Sequence, residues 1–474
     1  MARAGKKNLK DFDAALQRAA EELKKLDRQA AVKLVSNLDA DGITSASIVI
    51  RALEREGFKY SLMILHQLSD ENSRAISEED FDCFIFCDLG SGQLGSLNKH
   101  FKGKKVFILD HHEVQGKPEK NIIHVNPHDF GFDGSSEISA AGVCFLFARA
   151  LDKKNEDLAH LAIIGAIGDV QEKGGFADLN NRILEIAMKK GLIRVEKGLR
   201  LFGLETRPLN NLLRYSFDIL IPGVTDDEYG TRRFLEEINV PLSDKHGKWR
   251  TYYELSAPEI KRLTGGIIAR RSAAGIATPE AVFTNIYIIE GEDKGHFRDA
   301  KEFSTLLNSC GRLDNAALGI GACLRDEKQR KAALKSLADY KRKIVTSMDW
   351  YRKHAQKKSD RVIKGHNYII INARDDIMAT MIGTLASMIS KNRELEHSIF
   401  VLSMARNLDK TTKISLRVSG SPENIDLKLI ISDLVKDVGG EAGGHRSAAG
   451  ATIGSEKEEL FIEAAKEYFE SLVR

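Results

Sequence analysis

The sequence predicts a multidomain α/β protein, and three observations carry that reading. Short apolar runs alternate with helical periodicity through the first third, a proline-scattered middle follows, and α/β alternation returns after one long basic stretch. A length of 474 residues implies two or three domains rather than one.

The elements support this in order. The N-terminal MARAGKKNLKDFDAALQRAAEELKKLD has no apolar stretch of signal-peptide kind and reads as a charged amphipathic helix. Ala31–Leu38 is an apolar run leading into DADG and a helical pattern over Ile43–Arg55. Lys59–Leu65 reads as a second strand, Phe81–Cys87 as a third ending at Asp88, and Lys105–Leu109 as a fourth ending at Asp110. Helical stretches Glu137–Leu151 and Asp157–Ile167 follow. Apolar strands alternating with helices predict a mostly parallel sheet, placed in a first domain over residues 1–190.

Five of the eight prolines (Pro208, Pro222, Pro241, Pro258, Pro279) fall among helical pieces in the middle of the chain, read as an inserted, mainly helical module over 191–325. The stretch Lys328–Gly365 has no proline or internal glycine and carries thirteen Lys or Arg against three Asp. It predicts one or two long basic helices, connecting at 326–365 to a last α/β domain over 366–474. There Tyr368–Asn372, Ser398–Ala405 and Lys413–Val418 read as strands, Met378–Ile389 as a helix and Gly439–Gly450 as a glycine-rich turn.

Composition narrows the function. Lys+Arg 71 against Asp+Glu 68 leaves a net charge of +3, which excludes a polycation gripping nucleic acid by bulk charge. Such contact has to come from a local basic surface, and the 328–364 run supplies one. Apolar runs are too short to span a bilayer, so no membrane partner is expected. Five cysteines without a C-x-x-C pair argue for buried thiols and a cytoplasmic protein.

The chemistry lies where acids end apolar elements. Asp39 and Asp41 are two apart at a strand end, Gly42 lets the chain turn into the helix, and Asp88 and Asp110 end two further strands. In open α/β sheets that edge binds ligands. The adjacent imidazoles of His111 and His112 diverge, so one can hold a metal while the other faces substrate. Asp169 lies within GAIGDVQ. Carboxylates and imidazole without thiolate suit Mn²⁺ or Mg²⁺, and acids gathered so closely need cations between them. Two ions are the usual arrangement for phosphoester hydrolysis.

DADG, the Asp of CDLGSGQ, LDHHEV and GAIGDVQ resemble, in order, the four motifs of the DHH phosphoesterase superfamily. GGHRSAAG at 443–450 resembles the signature of its DHHA1 domain, so both ends of the chain carry the likeness. Within the superfamily the chain is most similar to archaeal RecJ-like single-strand exonucleases, and among them to the GINS-associated nucleases, through phrases such as HFRDAKEFSTLLNSCGR. The resemblance implies two divalent ions, Mn²⁺ foremost with Mg²⁺ as the alternative. It gives Asp39, Asp41, Asp88, His111 and Asp169 as metal ligands, with Asp88 bridging. It makes His112 the residue facing the scissile phosphate, with Asp110 supporting the histidines. It assigns phosphate binding to Ser415 and Arg417 of KISLRVSG and to Gly443, Gly444 and His445. Asn37 stands where bacterial relatives often carry a further Asp or His, and cannot supply a carboxylate.

The implied activity is a two-metal, single-strand-specific exonuclease, 5′→3′ by family expectation, on DNA and also RNA. It implies a role in replication or repair beside a GINS-like complex, with the 191–325 module as the docking surface. A phosphodiesterase for short oligonucleotides or cyclic dinucleotides would use identical chemistry. A helicase scaffold subunit with little catalysis is the third reading, and the intact set of acids and histidines argues against it.

Overall fold

Five short apolar runs form five parallel strands: β1 (Ala31–Asn37), β2 (Lys59–Leu65), β3 (Cys83–Cys87), β4 (Lys105–Leu109) and β5 (Ile122–Val125), in the order β2–β1–β3–β4–β5. They belong to a computed structural model that describes residues 7–357, 359–391, 395, 398–420 and 425–472. Lys358, counted in the basic run, lies outside the described residues.

Every residue of β3 is buried, as a strand covered on both faces requires. The helices of this layer are α1 (Leu9–Lys24), α2 (Ala40–Glu56), α3 (Asp70–Ser77), α4 (Leu94–His100), α5 (Ala140–Leu151), α6 (Ala159–Gly168) and α7 (Asp178–Lys189). On one face α3 and α4 share a core with Phe84, Phe86, Val106 and Ile108. On the other, α2 and α5 pack on β1, β3 and β4. Each fully buried Phe or Ile contributes roughly 1.5–3 kcal/mol. The amphipathic reading of the N-terminus is realised: Phe12, Leu16, Ala19 and Leu23 line the buried stripe of α1, which packs on α5.

This strand order places a topological switch point between β1 and β3, because the chain leaves β1 for β2 on one side and returns to β3 on the other. The crevice beyond the carboxyl ends of the strands opens there. Asp39 and Asp41 follow β1 and Asp88 follows β3, so acids reach the crevice from both of its sides.

The middle of the chain is bracketed by β6 (Ile193–Leu199) and β7 (Phe283–Ile289), antiparallel along their full length. Between them α8 (Leu209–Arg214), α9 (Glu228–Glu237) and α10 (Ala257–Ala273) enclose a core of their own that includes Leu212, Phe234, Leu263 and Ile267. Next, α11 (Ala300–Arg312) and α12 (Ala316–Cys323) pack back on α2, and α11 also on α6. The Asn308 Oδ1 accepts a hydrogen bond from the Ala40 N–H at 3.0 Å, beside the DADG turn. Residues up to Ser336 form one compact unit.

The basic stretch is one helix, α13 (Glu327–Gln356), shorter than the run of charge. Its tail is a strand instead, β8 (Val362–Lys364), because Val362 and Ile363 pair with the next strand. The second unit, Leu337–Arg474, has a six-stranded sheet ordered β12–β13–β11–β10–β9–β8. Its other strands are β9 (Tyr368–Asn372), β10 (Phe400–Arg406), β11 (Thr411–Val418), β12 (Glu441–His445) and β13 (Ala448–Gly454). Of the helices α14 (Ala379–Ser390), α15 (Leu427–Val438) and α16 (Glu458–Ser471), the last two share a core with Leu402, Leu416 and Ile453. The glycine-rich stretch expected as a turn is a hairpin, β12 pairing with β13 from Glu441↔Thr452 to His445↔Ala448. No described helix is long and apolar enough to cross a membrane, and all five cysteines are buried free thiols.

A candidate metal centre at the switch point

Asp39 caps α2: its Oδ1 accepts from the Gly42 N–H at 3.0 Å. Gly42 is needed for space, since a Cβ there would lie 2.3 Å from the Asn37 carbonyl oxygen. That differs from the turning role expected for it. Asp41, in the first turn of the helix, is buried and accepts from the N–H groups of Ala140 (2.7 Å) and Ala141 (3.0 Å) at the start of α5. The GAIGDVQ motif also serves this carboxylate, because a Cβ on Gly165 would come within 2.5 Å of Asp41 Oδ1.

Asp88 turns out of β3 at φ 59°, a left-handed conformation that Asp tolerates better than most residues. It is 1% exposed, and its Oδ1 has no hydrogen-bond partner among the described residues. A buried, orphaned carboxylate oxygen is costly, and a bound cation removes that cost.

His111 is buried, with Nδ1 donating to the Gly134 carbonyl at 2.6 Å, which leaves Nε2 as the ligating nitrogen. Nε2 lies 3.4 Å from Asp88 Oδ1, 3.4 Å from Asp169 Oδ2 and 3.8 Å from Asp41 Oδ2. Asp169 ends α6, and Val170 after it adopts φ 62°, a strained position for a β-branched residue. His112 is partly exposed; its Nδ1 meets Asp110 Oδ1 at 2.8 Å. Asp110 is fully buried and also accepts the N–H groups of Ser91, His111 and His112.

Two sets of possible metal ligands result. Asp88, His111 and His112 offer donor atoms within 4.8 Å of one another, and so do Asp41, His111 and Asp169. His111 is common to both. Asp39 belongs to neither, but its charge is felt by Asp41, Asp88 and Asp169. Burial first, and then the repulsion of neighbouring carboxylates, raises the pKa of Asp41, Asp88 and Asp169. Burial works against the charged form of His111, yet Asp88, Asp169 and Asp41 hold its pKa well above the usual imidazole value. Asp110 goes the other way: burial opposes its charge, but His112 and the N–H groups around it hold it well below the carboxylate range. These carboxylates and imidazoles are the donor set that divalent cations prefer.

Gly134 and Asn126, outside the four motifs, complete the centre together with Gln171 of GAIGDVQ. Gly134 supplies the carbonyl that fixes the His111 tautomer and also accepts from Gln171 Nε2, and Asn126 Nδ2 holds the His112 carbonyl. Nothing in the sequence around Gly134 and Asn126 carries a motif.

In the second unit, Ser415 and Arg417 lie on the β11 face that α14 covers, and Ser415 pairs with Gly450, which pairs with Gly443. The sheet thus brings the expected phosphate-binding residues side by side. Arg417 gives its Nε to Ser387 Oγ at 3.0 Å and its Nη1 to the Leu416 carbonyl at 2.8 Å, so much of its guanidinium serves the domain itself. Gly443 and Gly444 lie exposed on β12; His445 is on the same strand, and its side chain lies outside what is described.

Comparison with known proteins agrees with this anatomy. The chain matches the DHH family N-terminal domain over residues 32–166, the DHH-CID domain over 201–281 and the DHHA1 domain over 365–471. It is 27% identical over 470 residues to an uncharacterized protein of Methanocaldococcus jannaschii, covering 97% of each chain. It is 29% identical over 201 residues to the single-stranded-DNA-specific exonuclease RecJ of Thermus thermophilus, covering 40% of this chain and 28% of that protein. The Mn²⁺-bound structure of that RecJ superposes with a TM-score of 0.58 at 18% identity, over 96% of this chain and 55% of RecJ. CDC45 from Entamoeba histolytica superposes with a TM-score of 0.62 at 13% identity, over 97% of this chain and 98% of CDC45. By these matches the chain belongs to the DHH superfamily, as a RecJ-like member that carries DHH, DHH-CID and DHHA1 domains.

Proposed function

We propose that the protein is a divalent-metal-dependent exonuclease that hydrolyses phosphodiester bonds of single-stranded nucleic acid, using two ions, Mn²⁺ foremost. The observation that carries this is the pair of ligand sets sharing His111 around the orphaned Oδ1 of Asp88. Asp39, Asp41, Asp88, His111 and Asp169 would hold the ions. Bound there, divalent ions supply Lewis acidity for the phosphoryl oxygens and lower the pKa of an attacking water. The protein does the positioning. Asp110 stays ionised and orients His112 by accepting from its Nδ1, so that the other edge of the ring would face the scissile phosphate. Asp110 is therefore a positioning residue. Ser415, Arg417, Gly443, Gly444 and His445 would hold strand phosphate. The named activity and Mn²⁺ of the T. thermophilus relative support the reading.

The likeness to CDC45 supports a second reading, a replication scaffold that docks a GINS-like partner on the 191–325 module. One assay separates them: end-labelled DNA and RNA single strands with Mn²⁺ or Mg²⁺, products resolved by size. Asp88→Asn should lower strand hydrolysis by about 100-fold or more while circular dichroism shows an intact fold. Full activity in that variant would sink the metal assignment, and a wild-type protein that degrades no strand leaves the scaffold reading.

A further inference from the structure

The His124 imidazole, carried on β5, is 3% exposed and belongs to neither ligand set. Its Nε2 lies 2.9 Å from Ser91 Oγ, and on the other side of the ring its Nδ1 lies 3.1 Å from Asp129 Oδ2. Ser91, His124 and Asp129 thus stand in the order of a hydrolytic triad, but Ser91 is fully buried, so no substrate reaches its hydroxyl. The row leads inward instead. Ser91 Oγ accepts from Asn126 Nδ2 at 2.8 Å, and the same amide nitrogen donates to the His112 carbonyl at 2.8 Å. The Ser91 N–H donates to Asp110 Oδ2 at 2.9 Å, while Asp110 Oδ1 holds His112 Nδ1 at 2.8 Å. Both the ring and the backbone of His112 therefore depend on Ser91.

The direction of each bond follows from which atoms carry protons. Asn126 Oδ1 accepts the His128 N–H at 2.9 Å, which fixes the amide with its nitrogen toward Ser91 and His112. A hydroxyl that accepts from Asn126 has one proton to give, and His124 Nε2 is the acceptor beside it. His124 then carries its own proton on Nδ1, the side that the Asp129 carboxylate favours. We propose that His124, held by Asp129, is a positioning residue for His112. It takes the buried Ser91 proton and so keeps Asn126 and Asp110 in the arrangement that sets His112. The importance of that setting rests on the nuclease reading, in which His112 faces the scissile phosphate. Without an acceptor at position 124, the Ser91 hydroxyl is left with an unpaired buried proton or turns against the Asn126 amide, and His112 loses its hold.

Steady-state hydrolysis of an end-labelled DNA strand with saturating Mn²⁺ tests this. His124→Phe should lower kcat about tenfold or more, with KM and the Mn²⁺ half-saturation unchanged. His124→Gln, whose side-chain oxygen can stand at the Nε2 position and accept, should restore most of the rate. In a Ser91→Ala background His124→Phe should cost nothing further, because the proton it accepted is gone. Asp129→Ala, at a half-exposed side chain, should lower kcat in the same direction without risk to the fold. A wild-type kcat in His124→Phe, a loss that Gln does not restore, or a loss in KM or Mn²⁺ dependence instead overturns the proposal and leaves the nuclease reading intact. Hydrogen exchange in EDTA reads the same relay without turnover. The amides of Ser91, His111 and His112, all bonded to Asp110, should exchange about tenfold faster in His124→Phe and at the wild-type rate in His124→Gln. If the wild type degrades no strand while those amides respond, the nuclease reading fails and the relay stands. Unchanged exchange overturns the relay.

Discussion

Outside the metal cluster, Asp299 caps α11, its Oδ1 accepting the N–H groups of Lys301 at 2.8 Å and Glu302 at 3.0 Å. Burial, and then the charge of Glu302, raises its pKa from 3.8 to about 7. The folded chain therefore keeps a proton that the unfolded chain releases between about pH 4 and 7, and stability falls as pH rises through that window. A shift of this size is worth at most ~4 kcal/mol. Asp299→Asn keeps a capping side chain that cannot ionise. Its melting temperature should exceed that of the wild type by a margin that grows from pH 4 to pH 8; a margin that stays constant across pH would show that charge burial is not the cause. Single residues were legible to different degrees. Asp39, Asp41, Asp88 and Asp110 could be found because each ends an apolar run. The partner of His111 could not, because the Gly134 carbonyl lies 23 residues further along the chain, beyond β5. Sequence identifies donors and acceptors; folding chooses which of them meet.

Lys328, Lys331 and Lys335 occupy positions i, i+3 and i+7 of α13, so they form one stripe, and all three are exposed. Arg330 in the same run is instead half-buried in an ion pair, its two Nη atoms each 2.8 Å from a Glu292 carboxylate oxygen. If the stripe tracks a strand backbone, changing the three lysines to Gln should weaken single-strand binding and reduce the slope of log affinity against log salt by about 2. Unchanged affinity and slope would make it a solvated helix face. At this scale periodicity served best where an element makes its own pattern: Lys59–Leu65, Lys105–Leu109 and Tyr368–Asn372 are strands with the expected ends. It missed β5, only four residues long, and it read β12 and β13 as a turn because five glycines hide a ladder that β11 holds in place. The β6–β7 ribbon pairs Ile193 with Ile289 across the whole inserted module, a contact that no local pattern encodes.

For the whole molecule, +3 is the sum of unlike regions: carboxylates buried at the switch point of the first unit, and basic residues along a helix that runs through the division at Ser336. That division falls inside α13, where helical periodicity continues without a break, so the sequence offered no sign of it. The buried acids also make stability depend on pH and metal together. Folding raises the pKa of Asp41, Asp88 and Asp169, so without metal the first unit loses stability as pH rises above the ordinary carboxylate range. His111 acts in the same direction: its raised pKa gives stability that is complete below the ordinary imidazole value and lost as pH climbs through the raised one. Cations replace those protons, and they bind more tightly once the protons have gone. At a hundred times its dissociation constant, Mn²⁺ should add about 2.7 kcal/mol, and the gain in melting temperature should be larger at pH 8 than at pH 6. Hydrogen exchange should then show slower amides in β1, β3, α5 and α6, reversed by EDTA, with β9, β10 and β11 unchanged. A gain independent of pH, or protection spread equally over both units, would mean that Mn²⁺ acts somewhere other than the cluster of Asp41, Asp88, His111 and Asp169.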